Sequence, residues 1–89
     1  MSFDSTMKFR TDMTRAEIER MLVECRMFAD AMQMQDVVQL LTDTAALSAV
    51  DLQGRLKNSI QLMDGNQECA PLIDKLDMLL MNAEQLAAR

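Results

Sequence analysis

Between residues 36 and 63 the sequence DVVQLLTDTAALSAVDLQGRLKNSIQLM carries one apolar stripe: Val38, Leu41, Ala45, Ala49, Leu52, Leu56, Ile60 and Met63. Its members recur at eleven residues, Val38 with Ala49 and Ile60, Leu41 with Leu52 and Met63. Eleven residues in three turns is about 3.67 per turn, close to a straight helix. The spacing predicts a helix over 36–64, whose stripe, if unbroken, stays on one side for roughly 40 Å. Asp51 and Arg55 stand four apart with the acid first, the favourable order for a helical pair. Two signals oppose continuity. Ser48-Ala49-Val50-Asp51 resembles a second helix start, and Gly54 lowers helicity. The competing arrangement is four short helices with a break near 43–51.

The flanking stretches also read as helices. Thr14-Arg15-Ala16-Glu17 matches a capping box, in which Thr and Glu each satisfy one free N–H of the first turn. Behind it Ile18, Met21, Leu22, Cys25, Phe28, Ala29 and Met32 follow at steps of three and four. That face stops at Gln35 and Asp36, so a turn falls at 33–35, and Asp36-Val37-Val38-Gln39 offers another capping box. Asp64-Gly65-Asn66 is the clearest stop, since Gly tolerates the left-handed conformation that ends a helix. Pro71 suits the first turn of a last helix. Leu72, Leu76, Leu79, Ala83 and Leu86 supply its apolar face, and Arg89 suits its C-terminal end. The short loop before this helix makes it an antiparallel neighbour of the one preceding.

With two Gly and one Pro in 89 residues, tight hairpins between strands are disfavoured. An apolar share of 49% with 26% charged residues suits a folded chain. The expected fold is all-α: a small three-helix bundle, helices 14–33, 36–64 and 70–88, in a single helical domain 14–89 behind a short N-terminal arm, 1–13. The arm has no helical period but holds Phe3 and Phe9, two of the three Phe. It is either a free tail or a segment that docks its rings on the bundle or on a partner.

Chemistry-bearing constellations are scarce. There is no His, the commonest general base, and neither Cys25 nor Cys69 has one to activate it. No Gly-rich phosphate loop occurs, and two cysteines without His are too few for a structural zinc site. Asp74 and Asp77, three apart, read as solvated surface acids. The expectation is no enzyme, cofactor, metal or small-molecule substrate. A net charge of −5, with no base from Met27 to Gly54, suits neither nucleic acid nor an anionic membrane. No Tyr or Trp is present to stack on bases. No apolar run is long enough to span a bilayer, and no signal-like apolar segment opens the sequence. A cytoplasmic setting with both thiols free and buried is expected.

What remains is apolar surface on the wrong side. Ala16, Val23, Met27 and Met34 form a second stripe on the first helix, nearly opposite the first. Leu40, Leu47 and Val50 do the same on the middle helix, and Met78 and Met81 lie off the main face of the last. A middle helix sandwiched between two others accounts for Leu40 and Leu47, but not for Val23 and Met27. Ten Met supply flexible, adaptable contact surface. The expected function is protein binding: an acidic adaptor or chaperone that self-associates or holds a partner's amphipathic helix. Its expected anchors are Val23, Met27, Met34, Leu40 and Leu47, with Phe3 and Phe9. A second class is an acidic regulator that occupies a basic site through Asp30, Asp36, Asp43 and Asp51. A third is a redox- or metal-sensing thiol pair.

Overall fold

Thr14 starts the first helix as its capping box predicts. Its side-chain oxygen accepts the Glu17 N–H at 3.2 Å, and the Glu17 carboxylate accepts the Thr14 N–H at 2.9 Å. The computed structural model, which describes residues 12–88, has four α-helices within them. These are α1 (Arg15–Ala31), α2 (Gln35–Leu40), α3 (Ala49–Leu62) and α4 (Ala70–Ala88), the last entered through a 3₁₀ turn at Gln67–Cys69. The fold is a small all-α bundle.

Helix α1 ends without Gly or Pro. The Gln33 N–H donates to the Asp30 carbonyl and the Met34 N–H to the Ala29 carbonyl, both at 2.9 Å. That pair of bonds is a Schellman motif, which needs a left-handed residue at its hinge. Gln33 takes that role at φ +62°, a conformation Gly adopts without strain and Gln does not. The turn falls at 32–34, one residue ahead of the 33–35 that the lost stripe predicts. The second capping box does not form, because α2 starts one residue early, behind Met34, with no side-chain cap.

The helix expected over 36–64 is two helices. α2 stops at Leu40, and α3 restarts at Ala49 with the Ser48 side chain accepting the Asp51 N–H at 3.1 Å. Local chemistry favours the break. The Thr42 hydroxyl donates to the Val38 carbonyl at 2.6 Å, and Asp43 turns to φ +56°; Thr and Asp are weak helix formers that compete for backbone groups. Two arginines then hold the connection 41–48. Arg55 of α3 donates through Nη1 to the carbonyls of Leu40 (3.1 Å) and Thr42 (3.2 Å). Arg15 of α1 donates through Nη2 to those of Thr44 (2.7 Å) and Leu47 (2.8 Å). Glu19 ties the second set together, accepting from Arg15 Nε at 2.9 Å and from the Thr44 hydroxyl at 2.7 Å. Arg55 thus caps the Leu40 carbonyl at the end of α2 and that of Thr42 beyond it. The eleven-residue stripe persists across the break because α2 and α3 face one core: Leu41, Leu52, Leu56 and Met63 are buried, whereas Ala45, inside the connection, is exposed.

Gly65, at φ +84°, closes the turn after α3, and α3 and α4 pack together more extensively than any other pair. Ile18, Leu22, Cys25 and Ala29 of α1 meet Leu72, Leu76, Leu79 and Ala83 of α4 in the same core. α1 runs antiparallel to α4: Met13, just before α1, reaches Asn82, while Cys25 and Phe28 lie by Leu72 and Lys75. Met13, the last residue of the expected arm, packs with the core. It is buried, and its N–H donates to Asn82 Oδ1 at 3.0 Å, while Asn82 Nδ2 donates to the Met78 carbonyl at 2.8 Å. The bundle therefore includes residue 13.

Removing Arg55 takes a donor from the Leu40 and Thr42 carbonyls, and removing Arg15 takes one from Leu47 and leaves Thr44 with the Leu47 N–H. Arg15→Ala and Arg55→Ala should each lower the unfolding free energy in urea by about 1–3 kcal/mol. Arg15→Lys should recover only part, because an ammonium cannot reproduce the fork that meets Glu19 and two carbonyls together. Wild-type stability in both alanine variants would contradict the role given to these arginines.

Candidate protein-interaction surface

Helix α1 spends one face on the core and leaves the other with apolar residues in water. Val23 is 43% exposed, Met27 65% and Phe28 42%. Val23 and Met27 are four apart and so adjacent along the helix surface, and Phe28 stands next to Met27 at the edge of the buried face. Between α1 and α4 a groove of about 360 Å³ opens beside them. Met27, Phe28 and Cys25 form its α1 wall and Pro71 and Leu72 its α4 wall, with Glu24 and Lys75 as the charged groups at its sides.

The other expected anchors lie elsewhere. Met34 does not continue the stripe of Val23 and Met27, because the Schellman turn intervenes. It packs against the core, with the Cys69 thiol donating toward its Sδ at 3.4 Å. Leu40 is half-buried at the end of α2, in a shallow depression with Leu62 of α3, which is 52% exposed. Met34 borders the adjoining depression, again beside Leu62. Leu47 is half-buried in the connection, its carbonyl held by Arg15. Phe3 and Phe9 lie outside the described residues. The structure thus brings Val23 and Met27 together on α1 and gathers Met34 and Leu40 around Leu62 at the α2–α3 side.

Four exposed large apolar residues were not among the expected anchors: Phe28, Val50, Leu62 and Met81. Phe28 obeys the three-and-four spacing of the buried stripe, and a helical projection at 100° per residue would have put it at the stripe's edge. Leu62 lies one position before the buried Met63. Met81, 43% exposed, lies opposite the buried face of α4, as its position off the main stripe indicates.

The four acids of the regulator reading, Asp30, Asp36, Asp43 and Asp51, are all exposed. They are distributed over α1, α2, the connection and the start of α3, and the Asp30 carboxylate accepts from the Gln35 side chain at 3.1 Å. Arg55 does not serve the expected pair with Asp51, since its Nη1 is directed to the Leu40 and Thr42 carbonyls. On α4 the Asp77 carboxyl is held above its ordinary value, by partial burial first and by Asp74 second. Among the described residues no three His, Cys, Asp or Glu side chains gather as metal ligands, and no helix is long and apolar enough to cross a membrane.

Both cysteines are free and buried. Burial pushes the Cys25 thiol up to about 11, against a lowering by Lys75 and a smaller raising by Glu24. A thiol so placed stays protonated and inert at neutral pH, which gives no support to a sensing role for it. No family model, curated protein or solved structure matches the chain.

The raised thiol pKa links stability to pH. Below the ordinary thiol value of 9.0 both folded and unfolded chains hold the Cys25 proton. Between 9.0 and about 11 the unfolded chain releases it and the folded chain keeps it, so stability falls as pH rises through that window. Denaturation of wild type and Cys25→Ala across this range should show a shallower alkaline decline in the variant. Parallel declines would contradict the burial assigned to this thiol.

Proposed function

We propose that the chain is a non-catalytic protein-binding module. It is a small acidic helical adaptor or chaperone, working in the cytoplasm, that pairs with a second copy of itself or holds an amphipathic helix of a partner protein. The observation that carries this reading is the cluster of Val23, Met27 and Phe28 on the outer face of α1, beside an apolar groove. Scattered exposed apolar residues are ordinary, but a contiguous set flanking a cleft is the usual mark of a contact surface. Full burial of a Met, Val or Phe side chain is worth about 1.5–3 kcal/mol, so covering even part of this set can drive association. Met27 adds adaptability to differently shaped partners. Both thiols being free suits a reducing compartment.

Acid-driven occupation of a basic site is the weaker reading, because its four aspartates belong to four different segments rather than one patch. Ionic strength separates the two, since apolar anchors are nearly indifferent to salt and exposed charges are not.

Light scattering in solution should give the mass of a dimer for the wild type and of a monomer for Met27→Glu, with the same thermal midpoint. The dimer should survive transfer from low to high salt. Equal masses for the two proteins would contradict self-association through this face. A lower midpoint for Met27→Glu would place Met27 in the core, and salt-driven dissociation would favour the aspartates.

A further inference from the structure

We infer that the connection 41–48 is a hinge through which two copies of this chain exchange halves. In the exchanged form α2 and α3 join into one helix, and the α1–α2 pair of each copy packs on the α3–α4 pair of the other. The outer face of α1 plays no part in it.

The bend is held by ties rather than by residue type. No Gly or Pro lies in 41–48, and Ala45, Ala46 and Leu47 are helix-compatible. Asp43 is held at φ +56°, a left-handed conformation that a straight helix relieves. The carbonyls that the two arginines hold are those of Leu40, Thr42, Thr44 and Leu47. A continuous helix offers each of them a partner four residues on, the N–H of Thr44, Ala46, Ser48 and Asp51. Helical bonds can therefore replace every arginine bond of the connection.

The apolar stripe is in phase for the straight form. Val38, Leu41, Ala45, Ala49, Leu52 and Leu56 fall on one side of a continuous helix. In the bent chain Ala45 is exposed and Ala49 only half-buried, so the middle of the stripe is the part the closed fold leaves unused. A helix over 35–62 spans about 42 Å, against 35 Å for the longest dimension of the bent chain. Straightening draws α3 and α4 away from α1 and α2 and bares the core faces of both pairs. The surface that fits each bared face is the one it has left, presented by a second copy; exchange keeps the core contacts and changes the hinge.

The register of the bent form sets the crossing. α2 and α3 are antiparallel, with the Leu40 carbonyl on Arg55 and with Asp36 and Val37 beside Leu62. The same register between two straight helices places their crossing near Ser48 and Ala49, with Ala45 of one copy opposite Leu52 of the other. The smallest members of the stripe thus stand where two helices approach most closely.

The test uses the full chain carrying Met27→Glu, which removes the outer-face anchor. Met27 lines the groove to α4 and not the depression that α1 forms with the connection. One hinge variant adds Thr42→Ala, Asp43→Ala and Ser48→Ala, which favour helix and remove the restart cap. The other adds Asp43→Gly, which eases the bend. Light scattering should give the triple hinge variant twice the mass of the Asp43→Gly form. Carbon-13 α shifts across 42–47 should be helical in the first and non-helical in the second. When the triple variant is refolded from an equal mixture of labelled and unlabelled chains, isotope-filtered NOEs should show its α1–α4 core contacts running between chains. A monomer, or a dimer whose α1–α4 NOEs stay within one chain, would overturn the proposal. A triple variant that does not fold would overturn it too, because the exchanged form keeps the whole core. The mass ratio is read without the outer-face anchor, so failure here is distinguishable from failure of the outer face.

Discussion

Two arginines determine how this chain folds back on itself. Arg55 holds the last carbonyl of α2 and that of Thr42 just beyond it, and Arg15 holds two further along the connection, with Glu19 and Thr44 completing the second set. A helix end needs donors for its free carbonyls, and a non-helical stretch at a bundle surface needs the same. Here the neighbouring helices add their donors to the Thr42 hydroxyl, which serves the Val38 carbonyl from within the stretch. Because the arginines belong to α1 and α3, the connection also fixes where those helices sit. Both halves of the eleven-residue stripe then turn to one core instead of running along 40 Å of straight helix.

This arrangement explains the surplus apolar surface. Folded back, α2 and α3 bury Val37, Leu41, Leu52, Leu56 and Met63 against α1 and α4. The core so formed needs one face of α1, and nothing among the described residues covers Val23 and Met27 on the other. The sandwiched-helix account reached from periodicity holds in part for Leu40 and Leu47, which are half-buried with their carbonyls engaged. It fails for α1, where exposure and sequence pattern agree.

The helical class, the Thr14 capping box, the Ser48 cap, the Gly65 stop and the face of α4 were legible in the sequence. Each depends on residues within one or two turns of one another. The break after Leu40 was legible only as an alternative, because its strongest support is long-range: Arg15 reaches Thr44 and Leu47, and local reading instead assigns Arg55 to Asp51. The ends of α1 and α2 were blurred for a different reason. Gln33 and Asp43 occupy left-handed positions usually given to Gly or Asn, so the residue types do not announce the turns. In the candidate surface Val23 and Met27 were readable from helical phase. Met34 was misplaced because the phase was carried through a turn that resets it. Phe28 was missed because a ring at the edge of a buried stripe counts as core in a spacing pattern and as surface in three dimensions.

The backbone between 36 and 63 is where the account stands or falls. Carbon-13 α secondary shifts measured along the full chain test it most directly. The account predicts helical shifts at Gln35–Leu40 and Ala49–Leu62 separated by non-helical values across 42–47, with NOEs from the Arg15 side chain to Leu47. Uninterrupted helical shifts from 36 to 62, without those NOEs, would contradict it.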